Sequence, residues 1–197
     1  MAFSDFFYPD VLAKLDLTET SANLFGAVAP IAPSEALRSM LPGYHVLATS
    51  IHTEKARSEF LVAPLLAETW MGMRGRINFY SGVDLQADPQ SGLTGPIDYL
   101  FGLGQQLPRS TSPFAVFFQA KRDCIPDGFG QCIAAMVGAQ RAAKNQSVVY
   151  GAVTTGTSWR FLTLLHGLLT FDTTEYTIHP LDKLLGILRH IGESAKP

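Results

Sequence analysis

Three polar residues in the middle of the chain have types and spacing suited to hydrolytic chemistry. Asp98 lies early in one apolar segment, and Gln119 and Lys121 end a second, almost wholly apolar segment. Strand side chains alternate between faces with a period of two, so Gln119 and Lys121 share a face. If the two strands are neighbours, the three side chains converge at one edge of a sheet. Carboxylate and amide oxygens bind a hard divalent cation such as Mg²⁺ or Mn²⁺, and a nearby ammonium assists an attacking water and offsets charge on a phosphate.

Gln119 is neutral, so a metal at this position needs a second acid. Glutamine supplies an acceptor oxygen without a negative charge, and Glu59 is the carboxylate that we expect to compensate. Apolar residues three, four and seven positions after Glu59 predict that it lies on a buried helix face, where a carboxylate is costly unless it is paired or metal-bound. Glu68 comes nine positions after Glu59 and would lie near the opposite side of an ideal helix from it. It does not share the site unless Pro64 redirects the helix.

Gln131 is a supporting candidate on a later helix. Its stripe continues through Ala135, Gly138 and Ala142, small residues that predict close packing of the helix against the sheet. A position near the helix start brings the Gln131 amide toward the end of the strand that carries Lys121. The sequence leaves open whether this amide belongs to the site or only donates a hydrogen bond at the helix start.

Strands and helices alternate in the way that an α/β protein requires. Ser34 is the expected N-cap of a helix that ends near Met40, at Pro42-Gly43, and Pro64 is expected to kink the next helix. The predicted helices span 34–40, 54–71, 128–144 and 181–190, and the predicted strands span 77–85, 97–101, 113–120, 147–154, 159–165, 168–171 and 176–178. Residues 34–197 are predicted to form one domain. Residues 1–33 are predicted to form an N-terminal arm that packs on its own domain or on a neighbouring subunit.

Composition narrows the class of protein. Of 197 residues, 47% are hydrophobic and only 16% are charged, which favours a compact chain over a disordered one. The net charge of -2 provides no global positive field for nucleic acid, so phosphate binding needs a local basic patch. Two cysteines supply neither a disulfide framework nor a zinc site. No basic leader or bilayer-length apolar segment is present, and we expect a cytoplasmic protein without membrane contact.

Asp98 followed by Gln119-Ala120-Lys121 resembles the catalytic core of the PD-(D/E)xK nuclease superfamily. The most similar pattern is the Gln-x-Lys variant of Mrr-type restriction endonucleases. Over about residues 45–190, further segments resemble a family of uncharacterised bacterial proteins with this fold, namely Arg57-Ser58-Glu59, Ser81-Gly82, Gly128-x-Gly130-Gln131-Cys132 and Trp159-Arg160-Phe161. The usual acid of the third strand is glutamate, and this chain departs from that pattern at Gln119.

The resemblance implies a restriction-endonuclease-like fold, a mixed central sheet flanked by helices. It implies hydrolysis of phosphodiester bonds in nucleic acid, with DNA as the expected substrate and Mg²⁺ or Mn²⁺ as the cofactor. Asp98, Gln119 and Glu59 would hold the metal. Lys121 would assist the water, and Gln131 would position DNA or water. Duplex cutting usually needs two sites, so a homodimer is expected.

Two alternatives belong to other functional classes. Gln119 and the low net charge favour a nuclease-fold protein that binds nucleic acid after losing catalysis. The apolar arm at residues 1–33 is also suited to a scaffolding subunit.

Overall fold

The computed structural model describes residues 2–74, 76–102, 114–142 and 148–194, apart from the side chains of residues 114–117, 119 and 142. Its helices are α1 (Asp10–Leu15), α2 (Glu35–Ile51), α3 (Glu54–Arg57), α4 (Ala63–Gly72), α5 (Pro126–Ala142) and α6 (Leu181–Ser194). Its strands are β1 (Thr18–Ala22), β2 (Asn78–Asp88), β3 (Leu93–Gly102), β4 (Phe114–Ala120), β5 (Val149–Thr154), β6 (Ser158–Leu165), β7 (Leu168–Asp172) and β8 (Tyr176–Thr177). All seven predicted strands are found, with their ends shifted by a few residues. The predicted ends at 113, 144 and 147 lie outside the described residues.

The strands form one mixed sheet in the order β1-β7-β6-β5-β4-β3-β2, with the short β8 paired to β6. β4 and β5 are parallel, as are β1 and β7, whereas the remaining pairs are antiparallel. Parallel neighbours need a crossover connection, and α5 provides it between β4 and β5. The carboxyl ends of β4 and β5 therefore lie at the same edge, where the amide of Lys121 donates to the carbonyl of Thr154 at 2.7 Å.

Helices cover both faces of this sheet, so the predicted mixed sheet flanked by helices is confirmed. α5 and residues 3–15 pack on one face, and α2, α4, α6 and Phe25 pack on the other. The close packing predicted for α5 is also confirmed, because a Cβ added at Gly138 would lie 2.9 Å from the Cβ of Ala87. No helix in the described ranges is long and apolar enough to cross a membrane.

The N-terminal segment packs on its own chain, which is one of the two placements that the sequence left open. Phe3 and Phe6 are buried against α5, and β1 adds a parallel strand to the sheet edge. The Nζ of Lys183 on α6 donates to the carbonyls of Phe25, Gly26 and Val28 at 2.7, 3.1 and 2.6 Å. Much of the apolar surface that a scaffolding role would use is therefore buried inside the molecule.

The predicted end of the second helix near Met40 is wrong. Ser34 is the N-cap as expected, since its Oγ accepts from the amide of Leu37 at 3.2 Å, but α2 continues through Pro42. An interior proline costs about 3 kcal/mol. Leu37, Leu41 and Ala48 are buried on one face of α2, and burial of apolar side chains on both sides of the proline offsets this cost.

The helix disruption predicted at Pro64 occurs as a π-helical turn over Ser58–Val62, between α3 and α4. Proline lacks an amide donor and its ring crowds the carbonyl four residues earlier. A π-turn, in which the amide of Ala63 donates to the carbonyl of Ser58, shifts the hydrogen-bond pattern just before the proline. This shift also changes which side chains share a helix face. The face expected from an ideal helix at Glu59 is therefore not the face that forms.

The two cysteines differ in environment, and we predict that only one reacts in the folded protein. Burial raises the pKa of the Cys132 thiol to about 12, which leaves about one thiol in ten thousand ionised at pH 8. Cys124 is exposed, and the thiolate is the reactive form. Titration with Ellman's reagent at pH 8 should give one thiol per native chain and two in guanidinium chloride. Two rapidly reacting thiols in the native protein would contradict the burial of Cys132.

Candidate functional site

Asp98 lies where β3 and β4 separate. Their register pairs Tyr99 with Phe118 and does not continue to Asp98 and Gln119. The Oδ2 of Asp98 instead accepts a hydrogen bond from the amide of Ala120 at 2.8 Å. The carboxylate thus occupies the gap between the two strands and takes the place of a main-chain acceptor.

The other neighbour of β3 also leaves Asp98 outside the ladder. β2 pairs Ser81 with Tyr99 and Val83 with Ile97, and Gly82 between them is unpaired. Gly82 has a φ of 63°, a conformation that glycine adopts without strain. The pairing is therefore interrupted at Asp98 on both sides, and its half-buried carboxylate bonds to the Ala120 amide instead.

Lys121 follows β4 and lines a cavity of about 550 Å³. The cavity is polar and lies where the loop before α3 meets the loop before α5; its other lining residues are His52, Thr53, Glu54, Arg122, Asp123, Cys124 and Asp127. Asp98 does not line it, although it bonds to Ala120, the residue before Lys121. The side chain of Gln119 lies outside the described part of the chain, so the predicted convergence of all three side chains stays a prediction.

Glu59 is exposed, so the expectation that it lies on a buried apolar face is wrong. Its side chain is 52% exposed, and its Oε1 lies 3.0 Å from the Nζ of Lys55. The π-turn explains the difference, because Glu59 lies within it and the ideal helical period does not apply there. Glu68 lies elsewhere, as the helix geometry predicted: its carboxylate accepts from the amide and the Oγ of Ser34 at 2.7 and 2.9 Å.

The hydroxyl of Tyr99 links the surroundings of Asp98 and Glu59. Burial raises the pKa of Tyr99 above its ordinary value, and the negative charges of Asp98 and Glu59 raise it further. The hydrogen bond with Ser58 and the ammonium of Lys55 act in the opposite direction. Both carboxylates therefore disfavour ionisation of the Tyr99 hydroxyl.

Gln131 connects α5 to the strand that carries Asp98. Its Nε2 donates to the carbonyl of Pro96 at 3.4 Å, and its side chain is half-buried. Pro96 precedes Asp98 by two residues in β3. This contact agrees with the simpler interpretation, in which the Gln131 amide donates a hydrogen bond near the helix start. A role of Gln131 in positioning DNA or water stays a prediction.

Four basic side chains in the middle of the chain form ion pairs with carboxylates on the surface. Pairs join Lys55 to Glu59, Arg76 to Glu193, Arg122 to Asp123 and Arg141 to Asp88. Lys121 and Arg57 line cavities and have no carboxylate within 4.0 Å among the described residues; Lys144 lies outside that part of the chain.

Arg57 lines a second cavity of about 400 Å³ beside the first. The two cavities share Arg122, Asp123 and Cys124. The Nη1 of Arg57 donates to the carbonyl of Thr155 at 3.2 Å, which orients the guanidinium. Three hydroxyl side chains, Thr155, Thr157 and Ser158, and the carboxylate of Glu175 also line this cavity.

The described residues contain no closed metal centre. No group of three or more His, Cys, Asp and Glu side chains suited to a metal occurs in the ranges that the structure covers. Mg²⁺ typically binds through one or two carboxylates, several waters and substrate phosphates. That Asp98 and Glu59 hold such an ion together stays a prediction.

Sequence reasoning missed four residues near these sites. Glu54 and Asp127 line the cavity of Lys121, and Ser58 and Tyr99 adjoin Glu59 and Asp98. Glu54 follows Thr53, whose Oγ1 caps α3 by accepting from Ala56 at 3.1 Å, so a capping signal was available. Ser58 stood in the Arg57-Ser58-Glu59 segment, but its contact with Tyr99 carried no signal, because only the fold brings the two hydroxyls together.

Comparison with known proteins assigns this chain to no family. No protein-family model matches the chain, and no curated protein matches it at a significant level. The resemblance to PD-(D/E)xK nucleases stays a prediction that rests on the order and spacing of the motifs.

Proposed function

We propose that this protein is a PD-(D/E)xK-type hydrolase with a restriction-endonuclease-like fold, which uses Mg²⁺ or Mn²⁺ to cleave phosphodiester bonds in nucleic acid. DNA is the expected substrate. One observation carries the proposal: the carboxylate of Asp98 lies in the gap between β3 and β4, bonded to the amide that precedes Lys121. An acid beside the end of the strand that carries a lysine can bind a cation and place a positive charge near a phosphate.

Asp98 and Glu59 would hold the metal, with the side-chain oxygen of Gln119 as the third proposed donor. The bound cation would supply Lewis-acid polarisation of the phosphoryl group. The amide of Ala120 fixes the orientation of Asp98. The ammonium of Lys121, which has no carboxylate partner among the described residues, offsets charge that develops on the phosphate and orients the attacking water.

The second cavity supports a phosphate contact next to the cleaved bond. Arg57 is oriented there by Thr155, and hydroxyl groups lie on the same wall. Guanidinium and hydroxyl groups are common partners of backbone phosphates, and such contacts position nucleic acid without reading its sequence. We therefore assign Arg57 to substrate positioning within this proposal.

A second candidate function is nucleic-acid binding without cleavage. The absence of a three-acid group in the described residues favours it, as does the structural hydrogen bond of Asp98, which a catalytically inactive protein would retain. Gln119→Glu discriminates between the two functions. Gain of cleavage in this variant from an inactive wild-type protein would identify a decayed site.

Cleavage by the wild-type protein is the direct test of the proposal. Supercoiled plasmid and single-stranded DNA should be cut in Mg²⁺ or Mn²⁺ and left intact in EDTA. Lys121→Ala should lower the rate by roughly 10²-fold or more, because it removes a charge that stabilises the transition state. Arg38→Ala is the matched control, since Arg38 is 61% exposed and pairs with Glu35 at the start of α2.

Two results would count against the proposed activity. Cleavage that persists in EDTA would exclude a divalent cation from the reaction. A Lys121→Ala variant that cuts at the wild-type rate would remove Lys121 from the reacting centre. Sedimentation of the protein with and without duplex DNA would test the expected homodimer.

A further inference from the structure

We propose that Gly128, in the first turn of α5, is a positioning residue for Lys121, an inference that rests on the proposed function. Glycine is disfavoured inside a helix relative to alanine, so its presence at position 128 needs a structural reason. Contact with the side chain of Lys121 supplies that reason. Gly128 acts through Lys121 and need not touch the metal or the substrate.

The carbon stem of Lys121 packs on the Cα of Gly128, which is buried. A Cβ added at Gly128 would lie 3.2 Å from the Cγ of Lys121 and 3.3 Å from its Cε. Both distances are shorter than the optimum of roughly 3.5–4.0 Å for two carbon atoms, so the stem cannot keep this path beside a larger residue. Because the contacts involve both Cγ and Cε, most of the stem follows the first turn of α5.

The main chain of Lys121 is fixed separately from its stem. Its amide donates to the carbonyl of Thr154, the last residue of β5, at 2.7 Å. A lysine side chain is otherwise flexible, because its ammonium sits at the end of four carbon atoms. With the main chain held by β5 and the stem held by α5, two elements of the fold restrict where the ammonium lies.

Packing of the stem, and not an ion pair, therefore positions the Lys121 ammonium. Lys121 lines the cavity of about 550 Å³, as does Asp127, the residue before Gly128. The start of α5 thus contributes both a wall of this cavity and the surface on which the stem lies. Among the residues that the structure describes, no carboxylate lies within 4.0 Å of the Lys121 ammonium, so the contact with Gly128 carries this role.

An alanine at position 128 tests this role in a background that removes a second collision. The added Cβ would also lie 2.4 Å from the Cγ1 of Val153, so Gly128→Ala alone displaces Val153 or α5 as well. Val153→Ala removes that methyl group and is the matched control for Val153→Ala/Gly128→Ala. We expect the double variant to have a kcat roughly tenfold below that of Val153→Ala at a similar urea unfolding midpoint, because a misplacement of about 1 Å costs up to roughly 10²-fold in rate.

NMR of the Lys121 amine gives a second readout that needs no nucleic acid. Reductive ¹³C-methylation labels lysine amines, and Lys121→Ala identifies the Lys121 signal by its loss. This signal should change its chemical shift between Val153→Ala and the double variant, whereas the signal of Lys55, which is 83% exposed, should not. An unchanged Lys121 signal would overturn the positioning role of Gly128, and so would equal kcat values of the double variant and Val153→Ala.

The two proposals fail in different ways. A wild-type protein that cuts no nucleic acid contradicts the proposed function, while a Lys121 signal that shifts in the double variant still supports Gly128 as the residue that places the ammonium. Conversely, normal cleavage by the wild-type protein together with an unchanged Lys121 signal contradicts the positioning role alone.

Discussion

Asp98→Asn should lower metal-dependent cleavage by roughly 10²–10³-fold while leaving the fold intact. Asparagine keeps a side-chain oxygen that can accept from the amide of Ala120, the bond that Asp98 makes at 2.8 Å. It loses the negative charge that the proposed metal site needs. Plasmid cleavage rates and urea unfolding of the same preparations measure the two properties separately.

Asp98→Ala differs from Asp98→Asn because it removes the hydrogen-bond acceptor of the Ala120 amide as well as the negative charge. Ala120 is 2% exposed, so its amide would be left buried without this partner. We expect a loss of about 1–3 kcal/mol in the free energy of unfolding, in addition to the loss of cleavage. Glu35→Ala, at a side chain that is 87% exposed, is the control for removing a carboxylate. Cleavage at the wild-type rate by both Asp98 variants would exclude Asp98 from the reaction.

Gly130→Ala should destabilise the protein by about 1–3 kcal/mol or more, the largest stability effect that we expect from a single methyl group. A Cβ at Gly130 would lie 2.1 Å from the carbonyl oxygen of Phe6 and 2.7 Å from the Cα of Phe7. Both are backbone atoms, so the N-terminal segment must move away from α5. Phe3 and Phe6, now 0% and 4% exposed, would then lose much of their burial.

Gly43→Ala is the matched control and should have the opposite sign. Gly43 lies inside α2, and an added Cβ meets nothing within 4 Å. Alanine is favoured over glycine in a helix by about 1 kcal/mol, so this variant should be slightly more stable than wild type. Urea unfolding compares the two variants, and faster tryptic cleavage at Lys14 in Gly130→Ala would report the displaced segment. Equal stability of the two variants would show that the segment does not pack against Gly130.

The strands other than β1 were predictable, because the pattern of apolar residues along each strand indicates which of its faces are buried. Residues 114–118 are apolar, as expected of a strand covered on both faces, and β4 is an interior strand of the sheet that α5 follows. β1 was missed for the opposite reason. Its sequence is polar and all five residues are exposed, so no hydrophobic pattern distinguishes it from a loop. It forms because β7 supplies hydrogen-bond partners at the sheet edge.

The surroundings of Glu59 show the limit of periodicity. Pro64 correctly indicated a disrupted helix, but the π-turn that accommodates it changes the helical period locally. An exposed Glu59 and a buried Tyr99 then meet through Ser58, a contact between residues 41 positions apart. Periodicity is a local property of the chain. It cannot encode a hydrogen bond whose two partners come from different elements.

The sequence by itself determined the α/β class, the strands and the helices that carry the polar residues, because these follow from local hydrophobic patterns and capping residues. It also determined which residue types could bind a metal and a phosphate. Only the tertiary structure decided that Asp98 lies between two separating strands, that Glu59 is exposed and that Lys121 lines a separate cavity. Those outcomes depend on strand register, on the π-turn and on how the elements pack, which are set by contacts between residues distant in the chain.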